Sequence, residues 1–515
     1  MRGKVVLIGA GPGDPLLMTL KGKEYIELAD CIVYDRLATS ELLAYAKSDC
    51  ELIYVGKENH HHTMKQEDIN KLLAKKVEQY KLVIRLKGGD PYVFGRGGEE
   101  AIFLKQKGIE VEVVPGISSV IAALGDAGIP ITHRGLSNGF QVVSAHSRKD
   151  MPADIDYTKM LDDDVTYLFL MGLSHTEEIT KGLMAAGKAE NTPVAVISSG
   201  TTARQKKVVG NLGNIHKLTV EEGLISPAII VVGKVVTLSS QLNFFESRPL
   251  FGKKYIVPYV ERFCFSYDKG VVPPKQQGHF DSELERELRN KGADICSVKV
   301  GSIEPIAVSK NILLNSLESE WIIFTSPNGV NAFLWNLREN GLDIRAIKGS
   351  KIAVVGNKTA EALERVAIRP DLVPEKQNGK ALCTCLLDEL SSPHNTFQNV
   401  RVTLYGAEES NNEICELLSK RWRYEKIVCY ENALRETESP GYIETDWACY
   451  DGIFFTSGSS VKRFMRLSGG VLPDTIYSIG PMCSQVIRQE AQRNCIEAKT
   501  ASYKGLIDIV QATGK

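Results

Sequence analysis

The sequence predicts an α/β protein in two halves, each built from two lobes. Three observations carry that prediction. Short β-branched runs alternate with amphipathic stretches along all 515 residues. The segment FFESRPLFGKK (244–254), with Pro249 and Gly252, breaks the pattern, and a new strand starts directly after it. The second half also repeats itself: IIFTSPNGV (322–330) is echoed by IFFTSGSSV (453–461), and AVVGNKTAEAL (353–363) by YSIGPMCSQVI (477–487), in the same order. Expected boundaries are 1–245 and 250–515. The second half is expected to split into one lobe from about 251–300 and 431–515 and another from about 301–430.

In the first half, strands are expected at Lys4–Ile8, Cys31–Tyr34, Leu82–Leu86, Val111–Val114, Gln141–Ser144, Thr166–Leu170, Pro193–Ile197 and Ala228–Val232. Amphipathic spacing places helices near Thr19–Leu28 and Glu67–Glu78. The second half restarts with strands at Lys254–Val257, Trp321–Thr325, Lys351–Val355, Val400–Tyr405, Ile427–Tyr430, Gly452–Thr456 and Thr475–Ile479. Pro258 and Val272–Gly278 read as an insertion or a divergent loop.

Composition narrows the function classes. Hydrophobic residues are 43% and charged residues 24%, an ordinary globular balance. The net charge of −1 provides no basic field for nucleic acid or a membrane surface. No run approaches the roughly 18 apolar residues of a membrane span. The start MRGKVVLIGAGPGD reads as a first strand rather than an export signal, so a cytoplasmic protein with free thiols at its 11 cysteines is expected. No CxxC pair has zinc spacing. The side chains of His60, His61 and His62 are adjacent and cannot all converge on one ion, so no metal is expected.

The chemistry concentrates in glycine-rich loops. Gly9-Ala-Gly-Pro-Gly13 follows a strand, and a second strand ends in Asp35 some twenty residues on. A dinucleotide site would need GxGxxG; here the spacing is GxGxG, Pro12 lacks an amide hydrogen, and Asp14 puts negative charge where a phosphate would lie. A ligand without phosphates suits this loop better. The second loop, Lys87-Gly-Gly-Asp-Pro91, offers glycines for close backbone approach to a flat ligand and Asp90 as an acceptor. If helical, Arg96 and Glu99 share a face.

Taken together, GAGPGDP, YDRL (34–37), VGK (55–57), RLKGGDPYVFGRGGEE (85–100), VVPGISS (113–119), GIPITHRG (128–135), FLMGL (169–173) and SPAIIVVG (226–233) resemble uroporphyrinogen-III C-methyltransferases of the tetrapyrrole methylase family. The resemblance covers about residues 1–245. It implies a homodimer with S-adenosyl-L-methionine folded in a cleft between two lobes, methylating C2 and C7 of uroporphyrinogen III. Carried over by position, it puts the cofactor against Pro12, Gly88, Gly89, Asp90, Val93, Ser118, Ser119, Met171, Gly200 and Ala228. It makes Asp35 the proton acceptor and Lys57 the donor. Arg96, Glu99, Arg134 and Met171 fall on the substrate side. Arginine forks suit a substrate with eight carboxylates. Glu99 would contact pyrrole N–H groups, hold Arg96, or form a surface ion pair with it.

Residues 250–515 resemble uroporphyrinogen-III synthase, through FTSPNGV (324–330), ALERVAIRPDLVPE (362–375), VCYEN (428–432), FFTSGSSV (454–461), SIGPMCSQVI (478–487) and ASYKGLIDIV (501–510). That family has two α/β lobes on a two-stranded connector. It closes hydroxymethylbilane with inversion of ring D. The resemblance makes Tyr430 the acid for the leaving hydroxyl, with Ser326, Asn328, Thr359, Ser457 and Ser459 placed for carboxylates and Lys358 near the cleft. The opening at 255–288 departs from the family's usual strand ending in Thr-Arg. The combined expectation is a bifunctional enzyme making precorrin-2 for sirohaem or cobalamin. The alternative is an active methyltransferase carrying an inactive, tetrapyrrole-binding second half.

Overall fold

A computed structural model describes residues 3–38, 40–47, 49–56, 64–145, 154–263, 265–266, 270–271, 282–390, 400–408, 412–434 and 446–513. Val272–Gly278, expected to form a loop, lies outside them.

The first sheet is fully parallel, in the order β3-β2-β4-β1-β5. Its strands are β1 (Lys4–Gly9), β2 (Cys31–Tyr34), β3 (Glu51–Tyr54), β4 (Leu82–Lys87) and β5 (Glu110–Val114). Helices α1 (Leu20–Leu28), α2 (Gln66–Lys76), α3 (Gly97–Gln106) and α4 (Ser119–Asp126) follow strands of this sheet. Thr19 caps α1, its hydroxyl accepting from the Gly22 N–H. Because side chains alternate along a strand, Val5 and Leu7 join the core under α2 and α3. Val6 and Ile8 face the opposite core with Ile26 and Leu42. Burial on both faces is why these strands read as continuous apolar runs.

The second sheet is mixed, in the order β6-β7-β10-β8-β9. It contains β6 (Gly139–Ser144), β7 (Val165–Leu170), β8 (Pro193–Ser198), β9 (Lys206–Asn211) and β10 (Ala228–Val232), with α5 (Thr176–Ala185) and α6 (Ile215–Glu221). Only β6 and β7 pair in parallel; β10 runs antiparallel to both its neighbours.

The second half is one continuous nine-stranded sheet, β16-β15-β17-β18-β14-β11-β19-β20-β21, beside a two-residue hairpin of β12 (Phe265–Ser266) and β13 (Gly270–Val271). The strands are β11 (Lys254–Arg262), β14 (Asp294–Pro305), β15 (Trp321–Phe324), β16 (Lys351–Val354), β17 (Arg401–Ala407), β18 (Arg423–Leu434), β19 (Gly452–Phe455), β20 (Ile476–Ser478) and β21 (Ile496–Glu497). The helices are α7 (Glu283–Asn290), α8 (Lys310–Ser316), α9 (Pro327–Glu339), α10 (Asn357–Glu364), α11 (Gly379–Leu390), α12 (Asn412–Ser419), α13 (Gly458–Leu467), α14 (Pro481–Glu490) and α15 (Tyr503–Thr513).

The repeated sequence blocks fold alike. Strands β15 and β19 each lead into a serine-capped helix, then to a parallel neighbour, β16 or β20, and a glycine-led helix. The two long strands β14 and β18 join the copies, pairing antiparallel from Gly301–Leu434 to Pro305–Tyr430. The expected lobe borders, at 300/301 and 430/431, fall inside these strands. The register of β14 on β11 shifts at Tyr259/Val260, a bulge at the first of them.

Pro258 is a correction. It sits within β11, opposite Val298, not in a loop. On the other side of β11, β19 pairs only at Tyr255 and Ile256, so no ladder there needs a Pro258 N–H. All ten cysteines among the described residues are free. No helix among the described residues is long and apolar enough to cross a membrane.

Candidate active site

The first cleft is made by loops at the ends of β1, β4 and β5, facing loops of the second sheet. The loops after β1 and β4 pair with each other: Gly89 N–H donates to the Gly11 carbonyl at 2.7 Å, and Gly11 N–H to the Gly89 carbonyl at 3.3 Å. A Cβ on Gly9 would lie 2.5 Å from both Gly116 Cα and the Gly89 oxygen, so three backbones cross where only hydrogen fits. Gly88 is equally confined, since its Cβ would lie 2.5 Å from Leu37 Cβ. Its smallness therefore also admits the neighbouring loop at Leu37, while Gly88 itself lines the cavity. Five of the seven non-glycine residues with positive φ among those described, Phe94, Arg96, Met171, Ser199 and Thr201, sit in these cleft loops. Such conformations cost about 1–3 kcal/mol each and persist only where surrounding structure imposes them.

These loops enclose a cavity of about 970 Å³. Pro12, Gly88, Gly89, Asp90, Val93, Ser118, Ser119, Met171, Gly200 and Ala228 all line it, and so does Asp35. Apolar walls come from Val93, Leu170, Ile197 and Ile229, with polar groups on the opposite loops. Asp90 is tied into the protein: its two oxygens accept from Tyr92 N–H at 2.7 Å and Gly116 N–H at 3.0 Å. Burial raises the Asp14 carboxyl above its usual range, and that of nearby Asp126 to about 6.

Other predicted residues stand apart. Arg96 and Glu99 do not line the cavity. They form a two-point ion pair at 3.0 and 2.7 Å, with both side chains half exposed. That is the i,i+3 surface pair left open by the sequence. Arg134 is exposed on a turn closed by His133 and Ser137 and does not line the cavity either. Lys57 and the three histidines lie outside the described residues. No group of residues that could hold a metal occurs among those described.

Behind Asp35 lies a buried charge cluster. Arg85, 3% exposed, donates through Nη2 to Asp35 Oδ2 at 2.8 Å and through Nε to Glu100 Oε1 at 3.4 Å. Lys87 Nζ reaches the same Glu100 oxygen at 3.0 Å, and Gln66 Nε2 reaches it at 2.8 Å. Burial, with Arg85 alongside, pushes the Lys87 ammonium below its usual range. Sequence reasoning assigned nothing to Arg85, Lys87 or Glu100. The available signal was two cations at i and i+2 in LVIRLK, on a strand otherwise apolar on both faces.

In the second half, Ser326 and Tyr430 come together across 104 residues, hydroxyl to hydroxyl at 2.9 Å. Burial raises the Tyr430 phenol above its usual range, while Ser326 and Arg262 act in the opposite direction. Ser326 and Ser457 hold the same place in the two copies, each accepting from an N–H in the first turn of its helix. Ser457 also meets Ser459 at 3.1 Å. Asn328 is partly exposed at the start of α9, and Lys358 is exposed on α10. Thr359 lies in the first turn of α10 and is 4% exposed.

The halves meet at the first cleft. Arg289, Gly292, Ala293 and Asp294 line its cavity, Leu250 N–H donates to the Lys291 carbonyl, and Arg204 approaches Asp294 at 3.8 Å.

Comparison with known proteins finds two family models on separate stretches of the chain. The model of the Tetrapyrrole (Corrin/Porphyrin) Methylases matches residues 4–216, and that of uroporphyrinogen-III synthase HemD matches 282–508. The chain is 36% identical to a porphyrin biosynthesis protein HemD of Ruminiclostridium josui, over 90% of this chain and 88% of that one. It is 39% identical to a uroporphyrinogen-III C-methyltransferase of Bacillus subtilis, over 72% and 74% of the two chains. A uroporphyrinogen-III C-methyltransferase of Methanocaldococcus jannaschii is 50% identical, over 46% of this chain and 98% of that one.

Proposed function

Because the chain belongs to the tetrapyrrole (corrin/porphyrin) methylases, continued by a uroporphyrinogen-III synthase, we propose that it performs two consecutive reactions. The second half closes hydroxymethylbilane to uroporphyrinogen III. The first half methylates that product at C2 and C7, using two S-adenosyl-L-methionine, to give precorrin-2. We assign the methyltransferase to residues 1–245 and the synthase to 250–515, with a homodimer formed through the first half.

The observation that carries the first activity is the single cavity lined by all ten carried-over cofactor positions together with Asp35. At its first loop Pro12 has no N–H and Asp14 adds negative charge, and Val93, Ile197 and Ile229 offer an apolar wall for a flat ring. Bound there, S-adenosyl-L-methionine supplies an electrophilic methyl group. The protein's part is orientation and proton removal. Asp35, held at the cavity wall, takes the one proton that the methylated pyrrole loses for each methyl gained, and Lys57 is assigned as the proton donor. Arg134, without an ion pair among the described residues, and Arg96, exchanging Glu99 for substrate, receive carboxylates as two-point forks.

In the second half, Tyr430 carries its phenol proton at neutral pH and is assigned as the acid that protonates the leaving hydroxyl of the bilane. The loss of water leaves an azafulvene cation, which ring closure with inversion of ring D consumes. Ser326 lies at hydrogen-bond distance from Tyr430 and Ser457 at the matching helix start of the other copy, so hydroxyls and first-turn amides of both lobes can hold carboxylates.

The test is anaerobic. Purified protein receives freshly generated hydroxymethylbilane with and without S-adenosyl-L-methionine, and products are followed by isomer analysis and mass spectrometry. Mostly type III product without cofactor, and dimethylated product with it, is the expected result. Mostly type I product, with methylation only of supplied type III, would reduce the second half to a binding module.

A further inference from the structure

We propose that Arg85 is the positioning residue for Asp35, and that buried Glu100 with Lys87 is arranged to leave the Arg85 charge available for that task. The inference rests on Asp35 being the proton acceptor, and it adds the group that fixes the acceptor's place.

Three ionic side chains are buried behind the cavity: Arg85 at 3% exposure, Lys87 at 4% and Glu100 at 0%. One anion faces two cations. Lys87 reaches Glu100 Oε1 at 3.0 Å, closer than Arg85 Nε at 3.4 Å, and Gln66 adds a neutral donor at 2.8 Å. Glu100 and Lys87 therefore balance each other. The Arg85 charge is the surplus, and its shortest contact is with Asp35, 2.8 Å from Nη2. A buried cation left uncompensated would cost several kcal/mol, so this contact is demanded from the arginine's side as well.

Geometry fixes the direction of that contact. Arg85 Nη1 donates to the Leu86 carbonyl at 2.9 Å and the Val33 carbonyl at 3.4 Å, which ties the guanidinium plane to the ends of β4 and β2. Asp35 follows β2 directly. Its other oxygen, Oδ1, accepts from Leu37 N–H at 3.1 Å. With Oδ2 on Arg85 and Oδ1 on the backbone, the carboxylate is held at both ends while 26% of the side chain remains exposed at the cavity wall. Arg85 does not line the cavity, so it acts through Asp35 and not on substrate.

The test is a double-mutant cycle on the full-length protein with supplied uroporphyrinogen III. Arg85→Gln should lower kcat for methylation roughly 10²-fold through misplacement of the acceptor. The dissociation constant of S-adenosyl-L-homocysteine, measured by calorimetry, should stay within about twofold. Asp35→Asn should lower kcat at least as far. Adding Arg85→Gln to Asp35→Asn should then cost nothing further. Arg85→Lys, which keeps the charge and loses the planar fork, should fall between wild type and Arg85→Gln. Equal losses from Arg85→Gln in both backgrounds, or a weakened S-adenosyl-L-homocysteine complex, would make Arg85 a merely structural residue and overturn the proposal. So would an Asp35→Asn enzyme of full activity. A wild-type protein that methylates no uroporphyrinogen III would instead remove the underlying assignment.

Discussion

The two halves build their sites by different means. In the first, the backbone does the positioning. Gly9 and Gly116 approach each other and the Gly89 carbonyl at separations that leave no room for a Cβ on either, and four non-glycine residues with positive φ, Phe94, Met171, Ser199 and Thr201, line the cavity. Among the described residues of the second, the non-glycine residues with positive φ are Ala367 and Gln492. There, side-chain hydroxyls at helix starts and a long strand pair bring the groups together. The contrast teaches that a cleft closing around one small ligand can be fixed by rigid loops. A site shared between two repeated units depends on how those units are joined.

The sharpest way to break this comparison is a methyl group at the crossing. Gly9→Ala must displace the backbone of Gly116 or Gly89, because its Cβ would lie 2.5 Å from each. Overpacking of this kind costs about 1–3 kcal/mol or more, and a displaced cleft should lose roughly 10²-fold or more in methylation rate. Cyclisation of hydroxymethylbilane should be untouched. Parallel assays of the two activities check this; equal loss of both would mean that the halves are not separately positioned.

A second prediction concerns α7 of the second half. Glu285 on α7 is fully buried, one of its oxygens has no partner, and burial raises its carboxyl to about 7. Raised above the unfolded value of 4.5, the folded carboxyl binds more protons than the unfolded one, so its cost to stability grows as pH rises from 4.5 towards 7 and is complete above that. At 1.36 kcal/mol per unit, the cost is about 3 kcal/mol at pH 8. Glu285→Gln should therefore stabilise the second half at pH 8 and have little effect near pH 4.5. Denaturant melts at the two pH values measure it.

Tyr430→Phe should be selective in the opposite sense to Gly9→Ala. Loss of an acid costs about 10²-fold in cyclisation. Methylation of supplied uroporphyrinogen III should not change. Loss of the contact with Ser326 should cost about 1 kcal/mol in stability. A Tyr430→Phe protein that still makes type III product at the wild-type rate would remove the acid role.

The smallest effect sharpens the repeat itself. Ser326→Ala and Ser457→Ala each delete a hydroxyl that accepts from a first-turn N–H, at about 1 kcal/mol apiece. Ser326→Ala should also slow cyclisation, because only Ser326 touches Tyr430. Equal kinetic effects would show the two copies to be functionally interchangeable.

Much of the architecture was legible in the residues. The cleft loops could be placed because glycine, proline and aspartate after an apolar run constrain the chain locally. Thr19 marked the start of α1, and the repeated TS blocks marked two equivalent strand–helix units. Several features were not legible. Strand β3 is short, and β9 and β14 carry polar residues on exposed faces. Pro258 looked like a strand breaker; it is tolerated because β19 ends its pairing two residues earlier.

By itself, the sequence determined the α/β class, the division near residue 250, the repeat in the second half and the run of glycine loops that line the first cavity. These follow from short-range rules: side-chain period, turn chemistry and motif order. Only the tertiary structure decided that Arg85 meets Asp35, that Arg85 and Lys87 both reach Glu100, that Ser326 meets Tyr430, and that Arg289 of α7 lines the first cavity. Each of these joins residues far apart in the chain through strand order and helix packing. A charge's partner is set by what the fold brings within about 3 Å of it, and local pattern carries no information about that distance.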